Sequence, residues 1–420
     1  MPRFLYSLIF TLCLPLILAR LLYRAWRAPA YARRWRERFA LGGDLRPGGI
    51  WVHAVSVGES IAAAPMVREL RQRHPQLPIT ITCMTPTGSE QIRKLFGQDV
   101  GHAYLPYDLP WLQRRLIRRL RPRIVIIMET ELWPNLVAEC KRAQVPVVLA
   151  NGRLSARSAR GYQRVAALVR PMFAALDWAA VQTAAEAERF RALGVTDPAL
   201  TVTGSIKFDL KPGAELLDTA QQWRTQWGER PVWIAASTHQ GEDEVVLAAH
   251  RQILQRHPAA LLILVPRHPE RFDAVARQIE AAGLTMVRRS AGSMPAPTDQ
   301  VLLGDTMGEL MQFYACGDVA FVGGSLIAGG GHNYLEPAAL GLPVLSGPHR
   351  FNFAEISELL EQAGALVEVA DAMAMAERVA GWLTDRPAAR QAGEAGQAVV
   401  RANQGALERL VQGIGRLLGQ

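Results

Sequence analysis

The sequence predicts an α/β fold, with two tandem doubly wound domains facing a cleft behind an N-terminal membrane-anchor helix. Three observations predict it. An uncharged apolar run fills the N-terminus, short β-rich runs alternate with helical patterns through the rest, and that alternation restarts after a turn-rich stretch near residue 210. A chain of 420 residues also exceeds one core, since domains run to roughly 150 residues.

The anchor comes first. Phe4 to Ala19 reads FLYSLIFTLCLPLILA, with Arg3 before it and Arg20, Arg24 and Arg27 after it. The run is short of the roughly 20 residues of a comfortable span, and Leu21, Leu22 and Tyr23 extend it where Arg20 snorkels. No A-x-A-like site follows, and Arg33, Arg34, Arg36 and Arg38 crowd the region beyond, which disfavours a cleaved signal peptide. The positive-inside rule leaves the body of the protein cytoplasmic. Tyr23, Trp26, Tyr31 and Trp35 among these arginines suit an interfacial belt over anionic headgroups. The competing reading is an amphipathic helix packed on the first domain.

The first domain, residues 29–210, opens with the strand Ile50 to Val55 and a helix from Glu59 to Arg73. The strand Ile79 to Thr82 follows, then the helix SEQIRKLF and the continuous apolar run Ile124 to Met128 of a buried parallel strand. A helix from Pro134, a strand Val145 to Leu149, one long helical stretch Ala156 to Leu176, a strand Trp178 to Val181 and a helix Ala184 to Leu193 complete it. Thr203 to Gly213 carries turn formers and reads as the linker. The second domain, residues 211–420, restarts with Val232 to Ala236 and continues through Leu261 to Val265, Val287, Val301 to Leu303, Val319 to Val322 and Pro343 to Leu345. A last helix, about Ala388 to Leu418, lies beyond the second sheet and is placed to strap back across the first domain. Ligands are expected at the carboxyl ends of both sheets.

Composition narrows the chemistry. A net charge of +9 favours an anionic partner: nucleic acid, anionic lipid or phosphorylated sugar. Arg114, Arg115, Arg118 and Arg119, then Arg121 and Arg123, repeat at four-residue spacing, so a helix face carries most of the run, yet no aromatics interleave, and a solvated or membrane-facing surface fits better than nucleic acid. Cys13, Cys83, Cys140 and Cys316 are widely spaced with no C-x-x-C pair, which argues against disulfides and a structural zinc and for reduced thiols.

Three motifs carry candidate chemistry. HAVSVGES, His53 to Ser60, lies at a strand-to-helix turn, and Glu59 is either a first-turn acid complementing the helix dipole or a base for an acceptor hydroxyl. METELWPN, Met128 to Asn135, puts Glu129 and Glu131 directly after a buried strand; helix capping accounts for Glu131 but poorly for Glu129. In the third, FVGGSLIA runs into GGGHNYLEPA, where exposed backbone N–H groups and a helix N-terminus can hold a phosphate and Glu336 can accept from ribose hydroxyls. Arg267 and His268 follow a buried strand, and Lys207 lies in the turn-rich stretch that ends the first domain; either cation can compensate a departing phosphate, with ordinary solvated charge as the plain alternative for each.

Together WVHAVSVGE, METELWPN, TGSIKFD, PRHPERF, GGGHNYLEPA and SGPHRFNF resemble, in order and along the chain, the 3-deoxy-D-manno-octulosonic acid (Kdo) transferases of Gram-negative bacteria. The resemblance implies a GT-B fold of two Rossmann-like domains, an inner-membrane anchor over residues 1–28 with a cytoplasmic body, and no metal or cofactor. It implies transfer of Kdo from CMP-Kdo to the 6'-hydroxyl of lipid IVA, the lipid A precursor, in lipopolysaccharide biosynthesis, with anionic inner-membrane lipids as a further partner and no nucleic acid. Carried over by motif, Glu59 is the base, and Glu129 and Lys207 assist the transition state. Arg267, His268, the turn Gly308, Glu309, Leu310, and Asn333, Tyr334, Leu335 and Glu336 hold the CMP portion. Direct attack with one base and no covalent nucleophile inverts the anomeric centre. The competing enzymes are another GT-B lipid-linked glycosyltransferase and a nucleotide-sugar 2-epimerase; a tethered binding protein without activity is the non-enzymatic alternative.

Overall fold

The computed structural model describes residues 2–419, in two units. One holds the chain through Asp209 and takes it in again from Gln404; the other is Leu210–Asn403.

In the first unit the strands are β1 (Ile50–His53), β2 (Ile79–Cys83), β3 (Gly101–Tyr104), β4 (Ile124–Met128), β5 (Val147–Gly152), β6 (Trp178–Val181) and β7 (Leu200–Val202). They form one parallel sheet in the order β3-β2-β1-β4-β5-β6-β7. Strand order reverses between β1 and β4, whose registers pair Ile50 with Ile124 and His53 with Ile127. The IVIIM run of β4 is buried at every position, as a strand covered by helices on both faces must be.

The second unit repeats the plan. Its strands are β8 (Val232–Thr238), β9 (Leu261–Pro266), β10 (Met286–Arg288), β11 (Val301–Leu303), β12 (Val319–Val322), β13 (Val344–Ser346) and β14 (Leu366–Glu368). They pair in parallel in the order β10-β11-β9-β8-β12-β13-β14, with the reversal between β8 and β12. In each unit a crevice therefore opens at the carboxyl ends of the two strands flanking the reversal.

Two helices expected to be continuous are broken. Ala156–Arg164 and Ala166–Ala174 meet at Val165, whose backbone leaves helical geometry. The C-terminal stretch splits into Arg386–Asn403 and Ala406–Leu418 at Gly405, with φ +92°. The Asp209 carboxylate starts the second of these by accepting from Gly405 N–H at 2.6 Å and Leu407 N–H at 2.7 Å. That last helix buries Leu410, Val411 and Ile414 in the same apolar cluster as Met66 and Leu70 of the first unit.

The N-terminal helix, Pro2–Arg27, is long and apolar enough to cross a membrane by length and composition. It also has a docked flank. Phe10, Leu14, Ile17 and Leu18 pack on the first unit's core, and Asn135 Nδ2 donates to Ser7 Oγ at 3.0 Å. Phe4, Leu8, Leu12 and Leu16, spaced by four residues, form an exposed apolar face. The arginines that follow are not all outward. Arg34 forms a two-bond fork with Glu37 and also reaches Ser89 and the His102 carbonyl, while Arg38 is buried over the Tyr104 ring. These two fasten the segment to β3, which removes them from any headgroup-binding cluster. Arg114 likewise pairs with the buried Glu139, and Arg119 donates to the Ala40 carbonyl.

Candidate functional site

At the first reversal, β1 runs through Ala54 and Val55 to Ser56, the N-cap of the helix Val57–Arg73. Ser56 Oγ accepts from Glu59 N–H at 3.3 Å and donates to Glu59 Oε1 at 3.0 Å, while Val55 N–H donates to Oε2 at 2.8 Å. This is close to a capping box, with the carboxylate reaching one residue further back than the N-cap. Glu59 thus does what the helix-dipole reading requires of it. Yet its carboxyl is raised from 4.5 to about 7, first by burial and then by the negative charges of Glu131 and Glu129, against the lowering effect of its hydrogen bonds. A mere surface cap has no such shift.

Across the reversal, β4 delivers Glu129 with a left-handed backbone at φ +54°, its N–H bonded to the Ala150 carbonyl at 2.9 Å. A non-glycine residue there costs about 1–3 kcal/mol and turns the following chain, and hence Glu131, out of the sheet. Burial and the neighbouring Glu129 raise the Glu131 carboxyl. Three carboxylates therefore feel one another at the carboxyl edge of β1 and β4. Lys207 lies in a 3-10 turn, Ile206–Phe208, beyond β7. Ile206 N–H donates to Asn151 Oδ1 at 3.2 Å, which fastens that turn to the end of β5.

Two further residues stand at this edge: Asn151, which no sequence motif marks as a site candidate, and His53, which opens the HAVSVGES motif but has no role of its own in the sequence reading. Asn151 is wholly buried at φ +53°, and His53 is wholly buried at the end of β1 with its imidazole lowered to about 4 by burial. Asn151 Nδ2 and His53 Nε2 have no hydrogen-bond partner among the described residues. The Asn151-Gly152 dipeptide, a turn former at the end of an apolar strand, is the signal that could have found the first.

The second unit gathers its candidates at its own reversal. Arg267 N–H bonds the Thr238 carbonyl at 3.0 Å, so the ends of β8 and β9 lie together, and the Arg267 and His268 side chains are exposed there. His239 stacks parallel to His332 with Nε2 atoms 2.8 Å apart, and His268 meets His239 edge-on. Burial, assisted by Arg267, lowers the His332 imidazole to about 4. Asn333 and Glu336 are half-buried, and burial raises the Glu336 carboxyl although Asn333 bonds to it and Arg267 lies near. Between them the side chains of Tyr334 and Leu335 are wholly buried, the Tyr334 hydroxyl on Ser346 Oγ at 2.8 Å. These two anchor the turn from beneath.

Gly308, at φ +94° after β11, is exposed with open space where a Cβ would stand. Glu309 pairs with Arg289 and accepts from Thr306, and Leu310 begins a short helix against the core.

The glycine-rich turn differs from the expected phosphate site. The N–H groups of Gly324, Ser325 and Leu326 do not point to free space; all three donate to the buried carboxylate of Glu242. Among the described residues no grouping of three His, Cys, Asp or Glu is placed to hold a metal ion.

Comparison with known proteins agrees with this division. Residues 33–210 match the family model "3-Deoxy-D-manno-octulosonic-acid transferase (kdotransferase)", and residues 233–399 match "Glycosyl transferases group 1". The chain is similar to the 3-deoxy-D-manno-octulosonic acid transferase of Haemophilus influenzae, 45% identical over 98% of this chain and 97% of that one. The Bordetella pertussis transferase of the same description is 40% identical over 100% of each chain. In structure, UDP-GlcNAc 2-epimerase from Neisseria meningitidis bound to UDP-GlcNAc aligns over 88% of this chain and 99% of that one, with a TM-score of 0.56 and 14% identity. That last likeness is one of fold.

Proposed function

This chain belongs to the 3-deoxy-D-manno-octulosonic acid (Kdo) transferase family, and on that premise we propose that it transfers Kdo from CMP-Kdo to the 6'-hydroxyl of lipid IVA, inverting the anomeric centre, at the cytoplasmic face of the inner membrane. The observation that carries the reading of the site is Glu59. Its carboxyl, raised to about 7 beside Glu131 and Glu129, is basic enough to accept a hydroxyl proton and still ionised in part near neutral pH. In the proposed step the acceptor hydroxyl oxygen bonds to the anomeric carbon of Kdo as its proton passes to Glu59. The bond from that carbon to the phosphate oxygen breaks, and CMP leaves with the electron pair.

The remaining roles are divided between the units. Glu129 and Lys207 assist the transition state in the first. Arg267, His268, the Gly308, Glu309 and Leu310 turn, Asn333 and Glu336 hold CMP in the second, with Tyr334 and Leu335 supporting that turn. The cations offset charge on the departing phosphate. The apolar N-terminal helix supports a membrane location, where a lipid acceptor is found.

Incubation of lipid IVA with the protein and freshly generated CMP-Kdo, read by mass spectrometry, tests this directly. The expected product is lipid IVA heavier by one or more Kdo residues, together with free CMP. Unchanged lipid IVA in the presence of folded protein and intact donor overturns the reading.

A further inference from the structure

Glu242 is an acid with no exposed surface, three residues beyond His239 in the loop that follows β8. Its Oε2 accepts from His239 N–H at 2.9 Å and Gly324 N–H at 2.7 Å. Its Oε1 accepts from Ser325 N–H at 3.0 Å and Leu326 N–H at 2.9 Å. Four backbone donors from two loops thus converge on one carboxylate, and the loops leave the two strands that flank the reversal, β8 and β12. Every partner is a donor, so the ionised carboxylate is the form that fits.

The surroundings are shaped around this arrangement. A Cβ on Gly323 would stand 2.7 Å from the Ser237 carbonyl oxygen, 2.8 Å from Thr238 Cα and 3.0 Å from Glu242 Oε2. Gly324 has φ +71°, and a Cβ there would press on the His332 ring at 3.0 Å. Consecutive N–H groups after a strand form an anion-binding concavity, and here the chain fills it with its own anion.

We propose that Glu242 is a positioning residue for the nucleotide-sugar donor. It ties the β8 loop to the glycine-rich loop and so sets where His239 and His332 stand relative to each other and to Arg267. Because the concavity is already occupied by negative charge, the donor's phosphate and carboxylate are turned away from it and toward the exposed guanidinium of Arg267 and the exposed ring of His268 beside it. The proposal rests on the reading of this unit as the CMP-Kdo site.

The test compares Glu242→Gln, Glu242→Asp and Glu242→Ala with the unaltered full-length protein, measuring melting temperature, CMP affinity, and KM and kcat with CMP-Kdo. Loss of a charge-assisted acceptor at a buried site predicts a donor KM raised about tenfold or more in Glu242→Gln and Glu242→Ala, with kcat less affected and Glu242→Asp intermediate. Added acetate, which replaces the deleted atoms, is expected to lower the donor KM of Glu242→Ala while chloride at equal ionic strength does not. Folded variants with unchanged donor KM and CMP affinity overturn the proposal, as does a folded Glu242→Ala whose KM ignores acetate. Failure of all three variants to fold makes the residue structural only, and overturns it too. An unaltered protein that neither binds CMP nor transfers Kdo instead defeats the functional reading beneath it.

Discussion

Ser56 and Glu59 hold each other at the start of the helix Val57–Arg73: the Ser56 hydroxyl donates to one Glu59 carboxylate oxygen at 3.0 Å and accepts from the Glu59 N–H at 3.3 Å. A cap and a base are therefore one group here. The same bonds that stabilise the helix fix the orientation of the carboxylate, and two N–H or O–H donors leave lone pairs on both oxygens for a further partner. Their stabilisation of the charged form is outweighed by burial and by the two neighbouring acids.

Glu59→Gln keeps the shape of the cap and removes the base. Transfer is expected to fall by roughly 10²–10⁴-fold in kcat, the usual contribution of a positioned base. CMP affinity should stay at its original value, because the nucleotide contacts proposed above all lie in Leu210–Asn403. Parallel turnover and CMP-titration measurements separate the two effects, and near-normal turnover would remove Glu59 from the mechanism.

The pH dependence follows from the same carboxyl. Activity should climb as Glu59 ionises, with a limb near 7, and Glu131→Gln should move that limb to lower pH because one of the charges raising Glu59 is gone. Stability runs the other way. The folded state holds the Glu59 proton up to about 7 whereas the unfolded chain releases it near 4.5, so stability is lost as pH rises through that window. Glu59→Gln escapes this loss, and its melting temperature relative to the original protein should be higher at pH about 8 than at pH about 5. A difference independent of pH would contradict the raised value.

How much of this was legible in the sequence depends on separation along the chain. Glu129 follows directly on an apolar run and Glu59 lies in the first helical turn after one, so their place at the carboxyl edge of a parallel sheet could be read from periodicity and Brändén's rule. Glu242 could not, because its partners Gly324, Ser325 and Leu326 are more than eighty residues away and nothing periodic marks Thr238 to Glu242. For the same reason a glycine-rich run looked open to phosphate until its N–H partners were known. The strands β3 (GHAY), β7 (LTV) and β14 (LVE) are short and lack the continuous apolar run that marks the equally short β11 (VLL). Gly405 lies within an otherwise helical pattern; its φ of +92° breaks the helix, and the Asp209 carboxylate, 196 residues earlier in the chain, starts the next one.

Asn135 joins the N-terminal helix to the buried Asp108. Its Nδ2 donates to the Asp108 carbonyl at 2.7 Å and to Ser7 Oγ, and its own N–H donates to the Asp108 carboxylate at 2.9 Å. Asn135→Ala deletes these two side-chain bonds and the one that Asn135 Oδ1 accepts from Ser7 Oγ at 3.2 Å, and leaves buried polar atoms unpaired, at about 1–3 kcal/mol. Ser7→Ala removes a partly exposed partner and should cost about 1 kcal/mol or less. Denaturant titration in detergent checks the order, and equal stability for Asn135→Ala would mean that the helix is not docked through this residue.

Gly308 and Gly323 separate two ways in which glycine is needed. Gly308 stands at φ +94° with open space around it, so Gly308→Ala meets backbone strain alone, about 1–2 kcal/mol, with no steric block. Gly323 has an ordinary φ but no room: its Cβ would lie 2.7 Å from the Ser237 carbonyl oxygen, and the obstacle is backbone that cannot rotate aside. Gly323→Ala must therefore displace the β8 loop, at about 1–3 kcal/mol or more, and carry Glu242 and His239 with it. Both variants should lose thermal stability, but the donor KM should rise more in Gly323→Ala. If both lose stability and neither changes donor KM, then the spacing between the β8 and β12 loops does not control how the nucleotide sugar is held.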